Sequence, residues 1–171
     1  NVFEERVTVS VSGDGFIEVF SATQAMGQGI ATSYAQLAVD VFGVPIEKVR
    51  IVQGDTDRGT GFGSAGSRSI FVGGSAIQVA SQRTVEKAQN LAAEALETAP
   101  KDIASREGVF RVVGTDRQSG LFDLAAKQAD HQVFVDSTSA VQAPSWPNAC
   151  HICEVEIDPD TGAVEVASYA S

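Results

Sequence analysis

Apolar and polar residues alternate at both ends of the chain, and this pattern predicts two β-hairpins. Valines at every second position from Val7 to Val11 fall on one face of a strand. Turn residues follow at 12–15, and the segment 16–20 predicts the returning strand. Near the other end, apolar and acidic residues alternate over 154–158 before a Pro-Asp-Thr-Gly turn at 159–162.

Two helices are predicted between these hairpins. Apolar residues recur at intervals of four, three and four from Ile30 to Val41, directly after Gly-Gln-Gly at 27–29. A longer helix is predicted from about residue 69 to about residue 98, with an inner stripe of small side chains. Gly73 and Gly74 lie in its first turns, where each costs about 1 kcal/mol relative to alanine. We therefore expect another backbone or a ligand to approach closely there.

The remaining segments complete an α+β fold, with a mixed or antiparallel sheet, two main helices packed on it and terminal β-hairpins. We expect one domain over residues 1–171. The further predicted elements are strands at 48–52, 108–113 and 132–135, a glycine-rich loop at 54–66, a short helix over 121–128 with Ser119 near its N-cap, and a proline-containing loop at 143–148.

The composition is that of a folded, acidic protein. Apolar residues make up 43% and charged residues 20% of the chain, which is ordinary for globular proteins. The net charge of −10 argues against partners such as nucleic acid or anionic membrane, which need a positive field. The sequence shows no apolar run long enough to span a bilayer and no secretory signal, and it has two cysteines. We therefore expect a cytoplasmic protein without a disulfide framework.

Three short motifs each have two interpretations. Cys-His-Ile-Cys at 150–153 has the spacing of a metal or redox site, but a strand directs residues three apart to opposite faces, which favours structural packing. Gly-Phe-Gly-Ser-Ala-Gly at 61–66 matches a dinucleotide fingerprint but does not directly follow a strand. Gly-Asp-Thr-Asp at 54–57 is typical of a turn with aspartate caps, and less often of a metal loop.

Two glycine-rich segments each lead into the start of a predicted helix. They are Met-Gly-Gln-Gly at 26–29 and Gly-Ser-Ala-Gly-Ser-Arg-Ser at 63–69. Helix N-termini expose unpaired N–H groups and a partial positive charge. If both ends meet at one cleft, they form a site for an extended, phosphate-bearing cofactor. Helix capping alone also explains these glycines and serines.

The same segments carry a resemblance to a known family. The motifs are Gly-Gln-Gly-Ile-Ala-Thr at 27–32, Gly-Asp-Thr at 54–56, Gly-Ser-Arg-Ser at 66–69 and Asn-Ala-Cys-His-Ile-Cys-Glu-Val-Glu-Ile-Asp at 148–158. In this order they resemble the molybdenum hydroxylases, which include xanthine dehydrogenase, aldehyde oxidase and aerobic carbon monoxide dehydrogenase. The Gly-Ser-Arg-Ser version is similar to the bacterial branch of carbon monoxide dehydrogenases and N-heterocycle hydroxylases.

The resemblance implies a binding site for molybdopterin, often present as its cytosine dinucleotide. It implies that Gln28 hydrogen-bonds the pterin or its dithiolene side, and that the flanking glycines permit its approach. It also implies that the helix end at 67–69 holds the pyrophosphate. The implied cofactor-binding residues are Gly27, Gln28, Gly29, Thr32, Gly66, Ser67, Arg68 and Ser69.

The resemblance further implies that this chain is an internal fragment of a larger subunit. The family's catalytic glutamate lies in a segment beyond these residues, so we expect no catalytic residue, no metal ligand and no bound cofactor in the fragment. The parent protein is implied to hydroxylate an aldehyde or N-heterocycle carbon, or to oxidise carbon monoxide, with water as the oxygen source. Electrons are implied to pass to 2Fe-2S clusters and FAD on companion domains or subunits.

The alternative is a non-catalytic binding or assembly module that kept the fold without the cofactor. On the enzyme hypothesis, Gln28→Ala or Arg68→Ala in the full-length protein lowers the content of molybdenum and pterin and leaves the fold intact.

Overall fold

The computed structural model describes residues 2–143, 145–146 and 148–171. Its elements follow one another as β1 (Glu4–Ser12), β2 (Phe16–Ser21), α1 (Ile30–Phe42), β3 (Val49–Val52), α2 (Ser75–Ala95), β4 (Ile103–Arg106), β5 (Val109–Val112), β6 (Gln118–Gly120), α3 (Leu121–Ala126), β7 (Gln132–Ala140), β8 (Ile152–Ile157) and β9 (Val164–Ala170).

The main sheet is mixed and has the strand order β3-β2-β1-β7. Strand β1 lies in its middle and pairs antiparallel with β2 and β7, so that Val9 lies opposite Val19 and Val135. Strand β3 runs parallel to β2, with α1 in the connection between them. The side chains of Val7, Val9 and Val11 are fully buried on one face, as their alternation predicts.

Helices α1 and α2 pack against each other and against the buried face of this sheet. Helix α2 carries small residues on its inner side, and Ala76, Ala80, Ala88 and Ala92 are fully buried. Because these side chains are small, the helix backbone lies close to the strands. The α+β architecture with two main helices is therefore confirmed.

Gly73 and Gly74 are closely approached at the start of the long helix, but not by the groups that the sequence predicts. One π-helical segment, Ser69–Gly74, precedes α2. A Cβ atom on Gly73 would overlap the hydroxyl of Tyr34, and one on Gly74 would lie 3.0 Å from Leu37 Cδ1. The expectation of another backbone is therefore wrong, because the nearest atoms belong to side chains, chiefly those of Tyr34 and Leu37 in α1.

A second, three-stranded antiparallel sheet, β4-β5-β6, was not predicted as a sheet. Sequence analysis predicts only its middle strand, because the other two are four and three residues long. The prediction that Ser119 lies near the N-cap of α3 is confirmed, since Ser119 directly precedes the N-cap residue, Gly120; both residues also belong to β6. Pro144 and Pro147 of the predicted loop at 143–148 lie outside the described residues.

The second terminal hairpin, formed by β8 and β9, is confirmed, but all its side chains are exposed. Its turn is held by the carboxylate of Asp158, which accepts hydrogen bonds from the backbone N–H groups of Asp160 (2.8 Å) and Thr161 (3.0 Å). These bonds lower the pKa of Asp158. Among the described residues, no helix is both long enough and apolar enough to cross a membrane.

The buried hydroxyl of Ser81 in α2 generates a prediction about stability. Its Oγ has no hydrogen-bond partner among the described residues. A buried unpaired hydroxyl is unfavourable and alanine is the better helix former, so Ser81→Ala should leave the free energy of unfolding unchanged or raise it by about 1 kcal/mol. Urea unfolding of the chain measures the change.

Ser21→Ala is the matched control, since Ser21 is also fully buried but its hydroxyl donates to Glu5 Oε1 at 3.0 Å. This control should lower the free energy of unfolding by roughly 1–3 kcal/mol. If Ser81→Ala lowers the free energy of unfolding as much as Ser21→Ala does, the result would contradict the packing described for α2.

Candidate functional site

The first glycine-rich turn leads directly into α1. Gly27 and Gly29 adopt positive φ angles of 92° and 77°, a conformation that glycine adopts without steric cost. The side chain of Gln28 closes the turn, because its Oε1 accepts from the N–H of Met26 and its Nε2 donates to the carbonyl of Gln24 at 3.1 Å. A primary amide has two donors and two acceptor sites. The exposed Gln28 therefore retains one donor and one acceptor for a ligand.

The second glycine-rich turn leads into the π-helical segment Ser69–Gly74. Gly66 and Ser67 are consecutive residues with positive φ, 55° and 59°. This conformation is uncommon for serine and strained residues of this kind concentrate at functional sites. Successive N–H groups in such turns form concavities that bind anions. The turn thus combines two left-handed residues with the start of a helical segment, a combination that makes it a candidate anion site.

Ser64 joins the two turns through its hydroxyl. Its Oγ accepts from the N–H of Gln24 at 2.8 Å and donates to the carbonyl of Gln24 at 3.0 Å. The hydroxyl of Ser69 donates to Ser64 Oγ at 2.9 Å. Ser64 therefore uses its full hydrogen-bonding capacity within the protein and holds the two turns side by side.

A cleft of about 640 Å³ lies where the two turns meet. Four of the predicted site residues line it: Gln28 from the first turn, and Gly66, Ser67 and Ser69 from the second. Its apolar wall was not predicted, and it consists of Met26, Ile30, Ile70 and Phe71. Ser64, Ala65, Ser33 and Ser145 complete the lining.

The other four predicted residues do not line this cleft. Gly27 and Gly29 shape the first turn, and Thr32 is exposed on the first turn of α1. Arg68 is 3% exposed and forms an ion pair of 2.9 Å with Glu5, which is 2% exposed.

The guanidinium of Arg68 is committed to protein oxygens. Besides its bond to Glu5, it donates to the carbonyls of Val2 and Glu4, both at 2.8 Å, and to the carbonyl of Gly63. The expectation that Arg68→Ala leaves the fold intact is therefore wrong. Removal of the arginine leaves a buried carboxylate without its partner, a change that costs roughly 3–5 kcal/mol.

Tyr34 of α1 lies beneath the second turn and is fully buried. Its hydroxyl donates to the carbonyl of Ser69 at 2.6 Å and lies 2.7 Å from Thr23 Oγ1. Burial raises the pKa of Tyr34 to about 12; the hydrogen bond with Thr23 opposes this rise, and the charge of Glu5 adds to it.

Glu5 and Tyr34 are site residues that the sequence analysis did not identify. The burial of Glu5, but not the role of Tyr34, could have been predicted from the sequence. Glu5 continues the alternation of Val7, Val9 and Val11 toward the start of β1, so it belongs to their buried face. A buried carboxylate requires a partner of opposite charge. That requirement points to a buried arginine or lysine, but it does not identify Arg68.

The remaining candidate motifs form no metal site in the part of the chain that the structure describes, where no cluster of three His, Cys, Asp or Glu side chains occurs. The segment 54–57 is a turn in which Asp55 accepts from the N–H of Asp57 at 3.1 Å and pairs with Arg58. Cys150 and Cys153 are both exposed, so the packing expected for them is not found.

Comparison with known proteins identifies the family to which the chain belongs. The family model described as "Molybdopterin cofactor-binding domain" matches residues 2–171. The chain is 34% identical over 95% of its length to the 6-hydroxypseudooxynicotine dehydrogenase complex subunit gamma of Paenarthrobacter nicotinovorans, and covers 22% of that protein.

Solved structures show the same fold. Quinoline 2-oxidoreductase from Pseudomonas putida 86 superposes with a TM-score of 0.76 at 29% identity, over 97% of this chain and 22% of that one. The Cu,Mo-CO dehydrogenase superposes with a TM-score of 0.79 at 27% identity, over 99% of this chain and 22% of that one. The chain thus spans about a fifth of the length of the proteins it matches.

The raised pKa of Tyr34 predicts how stability depends on pH. The folded state holds the phenol proton up to about pH 12, whereas the unfolded chain releases it near pH 10. The contribution is therefore fully present below pH ~10 and is lost as the pH rises from ~10 through ~12. The free energy of unfolding should fall by roughly 2 kcal/mol over this window because of Tyr34 alone.

Urea unfolding of the wild type, Tyr34→Phe and Tyr169→Phe across this pH window measures the contribution. Tyr169, the other tyrosine in the chain, is exposed on β9 and serves as the control. Tyr34→Phe should flatten the decline, and Tyr169→Phe should not. Equal declines in all three proteins would contradict the buried position of Tyr34.

Proposed function

The chain belongs to the molybdopterin cofactor-binding domain family, and we propose that it binds molybdopterin in the cleft between its two glycine-rich turns. The observation that carries this proposal is the meeting of the Gln28 amide and the positive-φ turn at Ser67 on one cleft. A planar heterocycle needs paired donors and acceptors, and a phosphate needs convergent N–H groups. The first turn offers the Gln28 amide for the heterocycle, and the second turn offers backbone N–H groups for the phosphate.

The residues present fit the chemistry of such a cofactor. The volume of about 640 Å³ falls within the range of small-molecule sites. The apolar residues Ile30, Ile70 and Phe71 in the lining suit the face of a pterin, and the hydroxyl of Ser67 in the same lining suits a phosphate. The acidic net charge does not oppose this binding, because a phosphate in a cleft responds to the local N–H groups.

Each implied site residue has a place in the proposal. Gln28 binds the pterin with the donor and acceptor that its own turn leaves free. Gly66, Ser67 and Ser69 bind the phosphate with backbone N–H groups, and Ser67 adds its hydroxyl; the hydroxyl proton of Ser69 is donated to Ser64. Arg68 acts from beneath the turn through its bonds to protein oxygens. The residues that complete the proposed set by shaping the first turn and α1 are Gly27, Gly29 and Thr32.

The proposal extends to the protein of which this chain forms about a fifth by comparison with its relatives. When bound, the cofactor supplies molybdenum redox chemistry, by which the protein is proposed to hydroxylate an aldehyde or N-heterocycle carbon, or to oxidise carbon monoxide, with water as the oxygen source. The residues described here position the cofactor, and the cytosine dinucleotide is its proposed form. The general base is proposed to be a glutamate outside these 171 residues, so the isolated chain is inactive.

The exposed hairpin supports a role for this chain within a larger assembly. Val155 lies opposite Val166 and Ile157 opposite Val164, so these four side chains share one face. Each is between 47% and 64% exposed, and an isolated hairpin is at best marginally stable in water. We propose that the remaining parts of the large subunit cover this face.

The proposed partners also include iron–sulfur and FAD subunits, because a matched relative is one subunit of a dehydrogenase complex. The proposed location is the cytoplasm. Two free cysteines at exposed positions are typical of proteins kept in a reducing compartment.

Gln28→Ala tests the proposed cofactor site in the full-length protein. The variant loses the amide that faces the cleft, so its content of molybdenum and of released pterin should fall at least severalfold. Gln36→Ala is the matched control. Gln36 lies on α1 and, like Gln28, is exposed, but it does not line the cleft. Elemental analysis and pterin fluorescence measure the two contents.

Full molybdenum and pterin content in the Gln28 variant would show that the cofactor contacts other residues. A wild-type protein without pterin, from a host that makes the cofactor, would support the non-catalytic module instead.

A further inference from the structure

A closed path of polar contacts runs through the protein interior beneath the second glycine-rich turn. The path starts at Arg68 of that turn and ends at the neighbouring residue, Ser69. We refer to these side chains as the buried circuit; in order along the path they are Arg68, Glu5, Ser21, Thr23, Tyr34 and, by its backbone carbonyl, Ser69.

The first half of the buried circuit ties the turn to β1 and β2. Nη2 of Arg68 donates to Glu5 Oε2 at 2.9 Å. The other carboxylate oxygen, Oε1, accepts from the hydroxyl of Ser21 and from the N–H of Ala22, both at 3.0 Å. The carboxylate thus bridges the turn and the end of β2.

The second half continues to α1 and back to the turn. Thr23 Oγ1 lies 2.7 Å from the hydroxyls of both Ser21 and Tyr34. Ser21 gives its proton to Glu5, and Tyr34 gives its proton to the carbonyl of Ser69. Thr23 has one proton for its two neighbours and donates to one of them at a time, so it is the adjustable link.

The buried circuit also brackets the first turn. Thr23 immediately precedes the loop from 24 to 29, and Tyr34 lies about one helical turn after the start of α1 at Ile30. The carbonyl of Thr23 accepts from the side chain of Gln53, which fixes the approach to the loop from the β3 side. Both ends of the first turn and the last two residues of the second are therefore attached to the same set of contacts.

The burial of so many polar side chains costs free energy, because each must give up its contacts with water. The five side chains that form the buried circuit are all 3% exposed or less: Glu5, Ser21, Thr23, Tyr34 and Arg68. An apolar filling of the same space is often as stable as a buried ion pair or more so. A connected set of buried polar contacts instead favours one geometry, here one relative position of the two turns.

We propose that the buried circuit is a positioning device that holds the two glycine-rich turns at the spacing the cofactor requires. This inference rests on the proposed function for its ligand. The five buried side chains, those of Arg68, Glu5, Ser21, Thr23 and Tyr34, are positioning residues because none of them lines the cleft; Ser69, which does, joins the circuit only by its backbone carbonyl. Gly73 belongs to the same device, since only a residue without a side chain leaves room for the Tyr34 hydroxyl.

The test uses two substitutions that keep side-chain shape and remove one hydroxyl, Tyr34→Phe and Thr23→Val, in the full-length protein. Each has a control elsewhere in the chain. Tyr169→Phe removes an exposed phenol, and Thr84→Val removes a fully buried threonine hydroxyl that bonds only within α2. Thr84 lies about two and a half helical turns after the start of α2 at Ser75, and so still farther from the turn at 66–69.

Two measurements are made on each protein. Hydrogen–deuterium exchange of peptides covering 63–74, in protein produced without cofactor, reports the mobility of the second turn. The rate of pterin release from cofactor-loaded protein reports how a change in the mobility of the second turn affects cofactor binding. Tyr34→Phe should accelerate both by about tenfold, the factor for loss of one buried hydrogen bond. Thr23→Val should have a smaller effect in the same direction, and both controls should match the wild type.

Exchange over 63–74 that is the same in Tyr34→Phe as in Tyr169→Phe would overturn the positioning role. So would accelerated exchange accompanied by an unchanged rate of pterin release. If the wild type carries no pterin, the proposed function fails, and the exchange comparison alone then decides whether the buried circuit positions the turns.

Discussion

The ion pair between Arg68 and Glu5 is the interaction on which the geometry of the site depends. Both side chains are almost fully buried, so neither charge is tolerable without the other. The guanidinium gathers the carbonyls of Val2, Glu4 and Gly63 around this pair. The start of the chain, strand β1 and the second glycine-rich turn are thereby fixed to one point.

From this point, the polar contacts reach both turns by two routes. The inner route runs through Ser21, Thr23 and Tyr34, and the outer route is the hydroxyl of Ser64 bonded to Gln24 and Ser69. The cleft lies on the outside of this double connection, where exposed N–H, amide and hydroxyl groups remain for a ligand. The Gln28 amide keeps one donor and one acceptor for a ligand beyond the two bonds that close its own turn, while Arg68 and Ser64 are fully used in structural bonds.

Much of the fold follows from local sequence patterns. The alternation of valines in β1, the glycines at 29 and 43 that bound α1, and the turn at 159–162 all act over a few residues, so the sequence alone predicts them. The pairing of β1 with β7 does not follow in this way, because it joins residues more than a hundred positions apart. The short strands β4 and β6 carry too few residues for a periodic signal.

The candidate site was predictable in its exposed part and not in its interior. The resemblance and the glycine spacing both point to Gln28 and the turn at 66–69, and the structure brings these to one cleft. The same reasoning assigned the charge of Arg68 to a phosphate, because a sequence does not show which way a side chain faces. The burial of Glu5 determines which way the side chain of Arg68 faces. In the sequence, only the position of Glu5 in the alternating pattern of β1 indicates that it is buried.

The most direct test is an experimental structure of the full-length protein loaded with its cofactor. The account predicts the pterin within hydrogen-bond distance of the Gln28 amide and a phosphate against the backbone at 66–69, with Arg68 still paired to Glu5. Cofactor density away from this cleft, or Arg68 turned out of its pair to contact the phosphate, would contradict it.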